Sequence, residues 1–473
     1  MKHTLLLAFV CLVIAAPSFS QTSNRSLAGN WLGSLEVGGV KMRLLLKVEA
    51  SGNGYVAKFD SVDQDVHDLP IETITLVENK VSFTAPKFGM SFEGTLNDKN
   101  DEIVGTFKQG TGSTPFVFKR AAEIPTISRP QDPKKPYPYD EEEVTYRNAA
   151  DNVKLSGTLT IPRDGNARHP VVLLISGSGT QNRDSFIAGH RPFLVLADHL
   201  TRNGIAVLRV DDRGAGGSDL GALTVTSENF VHDVLVGVEF LKNRKDIDPK
   251  KIGLIGHSEG GMIAPMAAAQ SRDIAFIVLL AGLGQTGDEV IQTQTRLIQI
   301  ASGTDQDTIA SSVALTRNVN AIVKAQTEGK VLEQEVNAAV AKVIEPMTEV
   351  QRKKFAPVAS SVKGSMAMFQ LPWYRYFVMY DPAPALKKVQ VPVLALNGEN
   401  DLQIAWKENL DGIAAALKTG NNKDVTVKAF PKLNHLFQTS QTGLPAEYGS
   451  IEETMSPQVL ETITEWIRTR VRK

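Results

Sequence analysis

The sequence predicts a protein of two folded domains, a small all-β domain followed by a larger α/β domain with a mainly parallel sheet. Three observations carry this prediction: short alternating segments in the first part, apolar strands alternating with helices in the second, and a helical block inserted late in that alternation. A chain of 473 residues exceeds one ordinary domain. The 42% hydrophobic and 22% charged residues are typical of a globular protein with sizeable cores.

The first twenty residues differ in character from all that follow. A lysine gives a positive start, an apolar run extends from Leu5 to Ala16, and Ser18 and Ser20 supply the small residues of a cleavage site. This pattern predicts a signal peptide over residues 1–20, cleaved near Ser20, and therefore an exported protein, periplasmic or secreted, with no membrane anchor. The chain's one cysteine lies in this stretch, so no disulfide is expected after cleavage.

Residues 21–125 are predicted to form an all-β accessory domain. Segments such as KMRLLLKVEA, ETITLV and KVSFTA alternate apolar and polar residues, and turn-forming stretches such as SGNG and NDKND separate them. A long helical period is missing from this part, which favours a barrel or a sandwich. A stretch rich in proline and charge, 126–142, is the predicted linker.

Residues 143–473 are predicted to form the α/β domain, with helices on both faces of its sheet. The strands VVLLI, KIGLI, IAFIVLL and VPVLAL are almost wholly apolar, as expected of parallel strands buried on both faces. About a hundred residues with helical spacing, roughly 284–388, interrupt the alternation. An insertion between two such strands lies above their carboxyl ends, where sites form, so we predict a helical cap. The alternative is a surface excursion without a role in binding.

A serine between two glycines marks the candidate nucleophile. The stretch Gly256-His257-Ser258-Glu259-Gly260 follows the strand KIGLI and precedes a helical segment. A tight strand–turn–helix of this kind leaves no room for side chains at the glycines and places the serine at the apex. The alternative is a serine in a glycine-rich bend, because nucleophilic chemistry also needs a base and an acid elsewhere in the chain.

Residues that fit the base and the acid follow in the order serine, acid, histidine. His435 is the only histidine after Ser258 and lies in the loop after the strand DVTVKAF. Asp401 and Glu399 both follow the strand VPVLAL. We predict that Asp401 is the acid and that Glu399 is a solvated loop charge.

Two N–H donors directed at a developing oxyanion would complete the site. The amide of Glu259, the residue after the nucleophile, is the first predicted donor. The second is expected from the loop SGSGTQNRD, 176–184, whose small residues let the backbone approach a ligand. Gln181 or Thr180 is the predicted donor, and Gly179 is a further candidate. The alternative is that these glycines only turn the chain.

Several other classes of function receive little support. The formal net charge is -1, and the lysines and arginines are not clustered, which disfavours a nucleic-acid partner or an anionic membrane surface. The stretch VDDRGAGGSD lacks the Gly-Lys-Ser/Thr ending of a phosphate loop, so we predict that Asp211, Asp212 and Arg213 brace a turn. Metal-binding motifs are missing as well, and neither metal nor cofactor is expected. The sequence leaves the oligomeric state open.

Three longer stretches, 173–219, 251–269 and 372–404, resemble the α/β-hydrolases of the bacterial EstD-type esterase family. The resemblance extends from about residue 141 to the end, and the stretches GHSEGG and NGENDLQ carry it most specifically. It implies the α/β-hydrolase fold with Ser258 as nucleophile, Asp401 as acid and His435 as base. Members often have Pro-Gln-Asp-Arg-Asp at 180–184, and this chain departs from that pattern with Thr180.

We therefore expect a serine carboxylesterase that acts on a small-molecule ester. Trp373, Tyr374 and Tyr376 in the stretch PWYRYF are predicted to line the acyl pocket, although the same aromatic residues fit the core of the cap equally well. One alternative is a serine aminopeptidase or other amide hydrolase, since the same triad cleaves both bonds. Another is a polysaccharide- or surface-binding protein whose β domain does the main work beside an accessory hydrolase.

Overall fold

The computed structural model describes residues 25–37, 40–64, 66–110, 112–124, 128–222, 224–326 and 333–471. These residues divide into two compact units: the first holds the described residues of 25–35, 43–60 and 67–124, and the second holds those of 36–42, 61–66 and 128–471. The predicted signal peptide lies outside the described residues. Within them, no helix combines the length and the apolar character that a membrane crossing requires.

The first unit is a nine-stranded sheet in which strands adjacent in sequence lie side by side. Its spatial order is β4-β3-β2-β1-β9-β8-β7-β6-β5, and the pair β1–β9 and all pairs from β5 to β9 are antiparallel. This is the connectivity of an up-and-down barrel with β4 and β5 as its end strands, and it confirms the predicted all-β fold. The strands are β1 Gly29–Val37, β2 Val40–Ser51, β3 Gly54–Ser61, β4 Val66–Ile71, β5 Thr73–Val77, β6 Lys80–Ala85, β7 Met90–Leu96, β8 Glu102–Gln109 and β9 Gly112–Ala121.

The core of this unit is largely aromatic. Phe83 stacks on Phe92 with ring centroids 5.4 Å apart, and Phe116 meets Phe118 edge-on at 4.7 Å. Phe116 and Phe118 are two positions apart on one strand, so both side chains point to the same face. Trp31 is fully buried, and its indole Nε1 donates a hydrogen bond to a main-chain carbonyl at 2.8 Å. The unit therefore has a complete core of its own.

The second unit is built on an eight-stranded sheet of order β10-β11-β13-β12-β14-β15-β16-β17. The pairs β10–β11 and β11–β13 are antiparallel, and every pair from β13 to β17 is parallel. The strands are β10 Tyr139–Asn148, β11 Val153–Pro162, β12 His169–Ile175, β13 Ala206–Val210, β14 Ile247–His257, β15 Phe276–Leu280, β16 Val393–Gly398 and β17 Val425–Phe430.

The central strands are buried on both faces. All five residues of β15, FIVLL, are buried, and consecutive residues of a strand point to opposite faces. Helices therefore cover both sides of the sheet, as the apolar strands predicted. The helices are α1 Pro192–Arg202, α2 Ser227–Lys242, α3 Glu259–Ala268, α4 Gly287–Ala301, α5 Gln306–Ala325, α6 Glu333–Ile344, α7 Glu349–Gly364, α8 Met366–Phe369, α9 Pro372–Met379, α10 Ala383–Leu386, α11 Trp406–Thr419 and α12 Pro457–Val471, with short 3₁₀ turns at Val62–Gln64, Pro86–Phe88 and Pro445–Ser450.

Helices α4 to α10 form the predicted cap, which enters the chain between β15 and β16. Capping boxes start two of these helices, with Thr286 and Thr348 as the N-caps. The cap has its own buried cluster, to which Leu315, Phe355 and Phe369 belong. It is therefore a packed subdomain, inserted after the carboxyl end of a central strand.

The segment before β10 differs from a free linker. Strand β10 begins at Tyr139, inside the predicted linker 126–142. Arg129 Nη1 donates to the carbonyl of Ile451 at 2.7 Å, and Gln131 Nε2 donates to the carbonyl of Met455 at 2.7 Å. These partners lie more than three hundred residues later in the chain, so the local composition of 126–142 gave no sign of them.

Candidate active site

Ser258 occupies the turn between β14 and α3 in a strained backbone conformation. Its φ is 54° and its ψ is -115°, a combination that costs a non-glycine residue about 1–3 kcal/mol. The surrounding structure holds it there, and the Ser258 amide donates to the carbonyl of Leu280 at 2.8 Å. The strain presents the side chain at the apex of the turn, beyond the carboxyl end of the strand.

The two glycines of the motif are required by close packing. A Cβ on Gly256 would collide with the carbonyl oxygen of Gly260, and a Cβ on Gly260 would collide with the carbonyl oxygen of Ile175. Backbone oxygens cannot move aside as a flexible side chain can. The turn around Ser258 therefore forms only with glycine at both positions.

Asp401 and His435 come together in the loops that follow β16 and β17. His435 Nδ1 and Asp401 Oδ2 lie 2.8 Å apart, and both side chains are buried. Asp401 Oδ1 accepts from the amides of Gln403 and Ile404, each at 2.8 Å. Because a carboxylate only accepts, Nδ1 carries the proton of the neutral imidazole and Nε2 is left with a free lone pair. Glu399 is exposed and lies outside this arrangement.

His257 is a member of the site that the sequence did not reveal. Its Nε2 donates to the carbonyl of His435 at 2.9 Å, and the two rings lie 4.7 Å apart. Because His257 directly precedes Ser258, this bond ties the loop that carries His435 to the elbow. Burial lowers the pKa of His257 to about 3, and the adjacent His435 adds to the lowering. The His257 ring is therefore neutral and acts as a fixed donor.

The loop after β12 reaches the serine through Gly177. A Cβ on Gly177 would lie 3.3 Å from Ser258 Cβ. The loop is tied to Asp212, whose Oδ1 accepts from Ser176 Oγ at 2.6 Å and whose Oδ2 accepts from the Gln181 amide at 2.9 Å. The main-chain amide of Gln181, one of the predicted donors, is thus already taken by Asp212.

Thr180 and Gly179, the other two predicted donors of this loop, have surroundings that do not point to Ser258. Thr180 Cγ2 is 3.9 Å from the point that a Cβ on Gly214 would occupy, so its methyl faces the turn after β13. Gly179 has a φ of +87° that favours glycine, and a Cβ there would have no neighbour within 4 Å. Neither environment indicates contact with Ser258.

This loop lines a cavity of about 50 Å³, and Asp212, Glu259 and Gly177 are among the lining residues. Desolvation there raises the pKa of Asp212 to about 7, with the nearby carboxylates of Glu259 and Asp211 adding to the rise. The hydrogen bonds from Ser176 and Gln181 oppose it. Asp212 is thus a carboxyl group fixed beside the candidate active site and withdrawn from bulk water.

The three charged residues that the sequence assigned to bracing a turn lie where that role requires. Asp211 Oδ2 accepts from Arg183 Nη2 at 2.7 Å, which ties the turn after β13 to the loop after β12. Arg213 Nη2 donates to Asp233 Oδ1 on α2 at 2.8 Å. Asp212 in turn binds Gln181 and Ser176. The consecutive residues 211–213 therefore join the turn after β13 to the loop after β12 and to α2.

The side chain of Glu259 joins the elbow to the cap. It is buried, and its Oε1 accepts from Ser227 Oγ at 2.6 Å and from Trp373 Nε1 at 2.8 Å. Burial raises the pKa of Glu259, while bonds from Ser227, Trp373 and Ser178 act in the opposite direction. Trp373, predicted as a pocket wall, is thus also a hydrogen-bond donor to the residue after the nucleophile.

The two tyrosines of the same stretch take different positions. Tyr374 is buried in the core of the cap, where its hydroxyl donates to Asn320 Oδ1 at 2.9 Å. The structure therefore assigns Tyr374 to cap packing instead of a pocket wall, because the helix turns this side chain toward α5. Tyr376 is half-buried and stacks on Tyr380 with centroids 6.0 Å apart. Burial raises the pKa of Tyr376 to about 12.

The strand order, the turn after β14 and the helical cap define the α/β-hydrolase fold. Comparison with known proteins agrees. The family model described as "Serine aminopeptidase, S33" matches residues 191–353. The chain is 26% identical to Esterase EstD of Thermotoga maritima over 385 residues, which cover 78% of this chain and 74% of that protein. The resemblance to EstD-type esterases is thereby confirmed.

Further similarities cover shorter or more distant proteins. The chain is 30% identical to Thiohydrolase aneE of Aspergillus aculeatus over 152 residues, which cover 30% of this chain and 44% of that protein. Among solved structures, Est1E of Butyrivibrio proteoclasticus is 18% identical with a TM-score of 0.40, covering 69% of this chain and 100% of that one. The Pyrococcus furiosus esterase is 15% identical with a TM-score of 0.40, covering 74% and 98%.

Proposed function

We propose that the chain is a serine carboxylesterase in which Ser258, His435 and Asp401 form the catalytic triad. The observation that carries the proposal is the buried His435–Asp401 pair at 2.8 Å, joined through His257 to the strained serine of the elbow. The similarity to Esterase EstD over most of both chains supports ester hydrolysis as the reaction.

The proposed reaction proceeds through an acyl-enzyme. Ser258 Oγ attacks the ester carbonyl while His435 Nε2 takes its proton, and Asp401 stabilises the imidazolium that forms. The carbonyl electron pair moves onto oxygen, which the Glu259 amide helps to stabilise. Collapse of this intermediate releases the alcohol, to which His435 returns the proton. Water activated by His435 then attacks the acyl-enzyme, which frees the acid and restores Ser258.

A serine aminopeptidase is the second candidate, because the matching family model carries that description. Such an enzyme needs an anionic anchor for the free amino end of its substrate. Glu259, the carboxylate closest in sequence to the nucleophile, is buried and engaged by Ser227, Ser178 and Trp373. It therefore does not present a free carboxylate to a substrate ammonium, and this favours the esterase.

The deciding experiment compares wild type with Ser258→Ala on nitrophenyl acyl esters of rising chain length and on aminoacyl nitroanilides. We expect ester turnover in the wild type and a loss on the order of 10⁶-fold in the variant. The chain length with the highest kcat/KM then measures the acyl pocket. Nitroanilide turnover above ester turnover would favour the peptidase, and no turnover of either kind that depends on Ser258 would reject both.

We also propose that the protein is exported, on the strength of the N-terminal pattern in the sequence. N-terminal sequencing of protein from the periplasm or the medium is expected to begin at Gln21. Retention in the cytoplasm with an intact N-terminus would contradict this.

A further inference from the structure

One small space beside the nucleophile is shared by two side chains. The position that a Cβ on Gly177 would occupy lies 3.3 Å from Ser258 Cβ, 3.5 Å from Gln181 Nε2 and 3.5 Å from the main-chain oxygen of His257. The Gln181 carboxamide and the serine therefore face the same volume, and it stays open because residue 177 has no side chain. An ester carbonyl attacked by Ser258 must place its oxygen within a few ångströms of the serine.

The orientation of the Gln181 carboxamide follows from its partners. Its nitrogen donates to the carbonyl of Ser178 at 3.1 Å, and its Oε1 accepts from Ser185 Oγ at 2.6 Å. A carbonyl oxygen can only accept, so the atom facing Ser178 is the nitrogen. That nitrogen carries two hydrogens, and among the described residues the Ser178 carbonyl is its one acceptor. One N–H remains for a ligand.

The backbone of Gln181 is fixed as firmly as its side chain. Its amide donates to Asp212 Oδ2 at 2.9 Å, and its carbonyl accepts from the Asp212 amide at 3.0 Å. Ser176 Oγ donates to the other oxygen of Asp212, so the loop is held at both ends. A donor fixed in this way needs no reorganisation when charge develops on a substrate oxygen, and such preorganisation makes an oxyanion site effective.

We propose that the side-chain N–H of Gln181, and not its main-chain amide, donates to the oxyanion together with the amide of Glu259. The inference rests on the proposed function and adds a catalytic residue to it. As Ser258 Oγ bonds to the carbonyl carbon, its proton passes to His435 and the π electron pair moves onto oxygen. That oxygen accepts from Gln181 Nε2. Asp212 and Ser185 act as positioning residues for the donor.

The test compares Gln181→Ala and Gln181→Glu with wild type by two measurements. The first is kcat and KM on a nitrophenyl ester. The second is the rate at which a fluorophosphonate probe labels Ser258: the Oγ–P bond forms, fluoride leaves and the phosphoryl oxygen takes the oxyanion position. We expect both variants to lose about 10²- to 10³-fold in kcat, with KM changed by less than about threefold, and the labelling rate to fall in parallel.

Gln181→Glu is the decisive variant because it keeps the length and shape of the side chain and removes the donor. Gln292→Ala is the matched control, since both ends of the Gln292 carboxamide are also hydrogen-bonded, the nitrogen to Asp288 and the oxygen to Arg317, but Gln292 lies on α4 of the cap. It is expected to leave the labelling rate within about threefold of wild type. Ser185→Ala, which frees Gln181 Oε1, should lose about tenfold in kcat.

Full activity of Gln181→Glu would overturn the proposal, because shape alone would then suffice. A labelling rate for Gln181→Ala equal to that of wild type would overturn it as well. The two proposals fail separately. If Ser258 is labelled but no ester is hydrolysed, the esterase assignment is wrong, while the relative labelling rates still decide whether Gln181 is a donor.

Discussion

The two oxygens of the Asp401 carboxylate have separate partners. One binds His435 Nδ1, and the other binds the amides of Gln403 and Ile404, so the aspartate fixes the imidazole while the loop fixes the aspartate. At the scale of single residues, the candidate active site depends on such divided hydrogen bonding. Each proposed catalytic side chain is positioned by a hydrogen bond to a neighbouring group that takes no part in the proposed reaction.

Replacing each carboxylate by its amide should show whether Asp401 or Glu399 is the acid of the triad. Asp401→Asn keeps the shape of the side chain, but its amide nitrogen favours the wrong tautomer of His435, so kcat should fall by about 10⁴-fold. Glu399 is exposed, and Glu399→Gln should change kcat by less than about threefold. Steady-state kinetics on one nitrophenyl ester checks both variants. If Glu399→Gln is the more damaging change, the acid has been assigned to the wrong carboxylate.

His257 should make the protein sensitive to acid. Its pKa is about 3 in the folded protein because of burial and the adjacent His435, whereas an unfolded histidine titrates near 6.5. Between these values the unfolded chain binds a proton that the folded chain does not, so stability falls as the pH falls below about 6.5, by at most about 1.4 kcal/mol per pH unit.

His257→Gln should reduce this dependence, because glutamine can still donate to the carbonyl of His435 and does not titrate in this range. Urea unfolding at several pH values between about 4 and 7 measures the slope for both proteins. An equal slope in wild type and variant would show that another group dominates the acid sensitivity.

Contacts between elements decide how the cap meets the sheet. The indole of Trp373 on α9 donates to the carboxylate of Glu259 at the start of α3, which also accepts from Ser227 at the start of α2. Three helices thus meet at one buried carboxylate. Removing one donor from a buried carboxyl acceptor leaves it underbonded, which is costly in free energy.

Trp373→Phe tests this junction, since phenylalanine keeps an aromatic ring beside Phe377 and removes only the donor. We expect the free energy of unfolding to fall by about 1–3 kcal/mol, measured by urea unfolding. Trp466→Phe is the matched control, because Trp466 Nε1 donates to a neutral hydroxyl, Thr426 Oγ1, at 3.1 Å. A loss no larger than in this control would mean that the bond to Glu259 contributes little.

On the scale of the whole molecule, the sequence predicted the fold because the periods of its hydrophobic residues are unambiguous. Apolar strands such as β15 required a sheet buried on both faces, and the order of these strands brings their carboxyl ends to one edge. Ser258, Asp401 and His435 each follow a strand of that sheet. Their positions near one edge were therefore predictable before any loop conformation was known.

The contacts that the sequence could not predict depend on the conformation of the loops. The bond from His257 to His435 and the bond from Gln181 to Asp212 join loops that are distant in sequence, and no local pattern encodes such pairs. The position of Tyr374 on a helix was equally unpredictable from the local sequence. The stretch PWYRYF is aromatic on more than one face, and only the packing of α9 against α5 decides which ring enters the cap core.

The separate cores of the two units predict that the part of the second unit from residue 128 onward works without the rest of the chain. Every residue of the candidate active site lies after position 128, and the sheet and the cap have buried clusters of their own within that unit. A chain of residues 128–473 should therefore fold and hydrolyse the same nitrophenyl ester with a kcat within about threefold of the full chain. Circular dichroism establishes folding, and steady-state kinetics gives kcat. A folded but inactive 128–473 would mean that the aromatic β unit contributes to catalysis, which would revive the hypothesis that the β unit carries the main function.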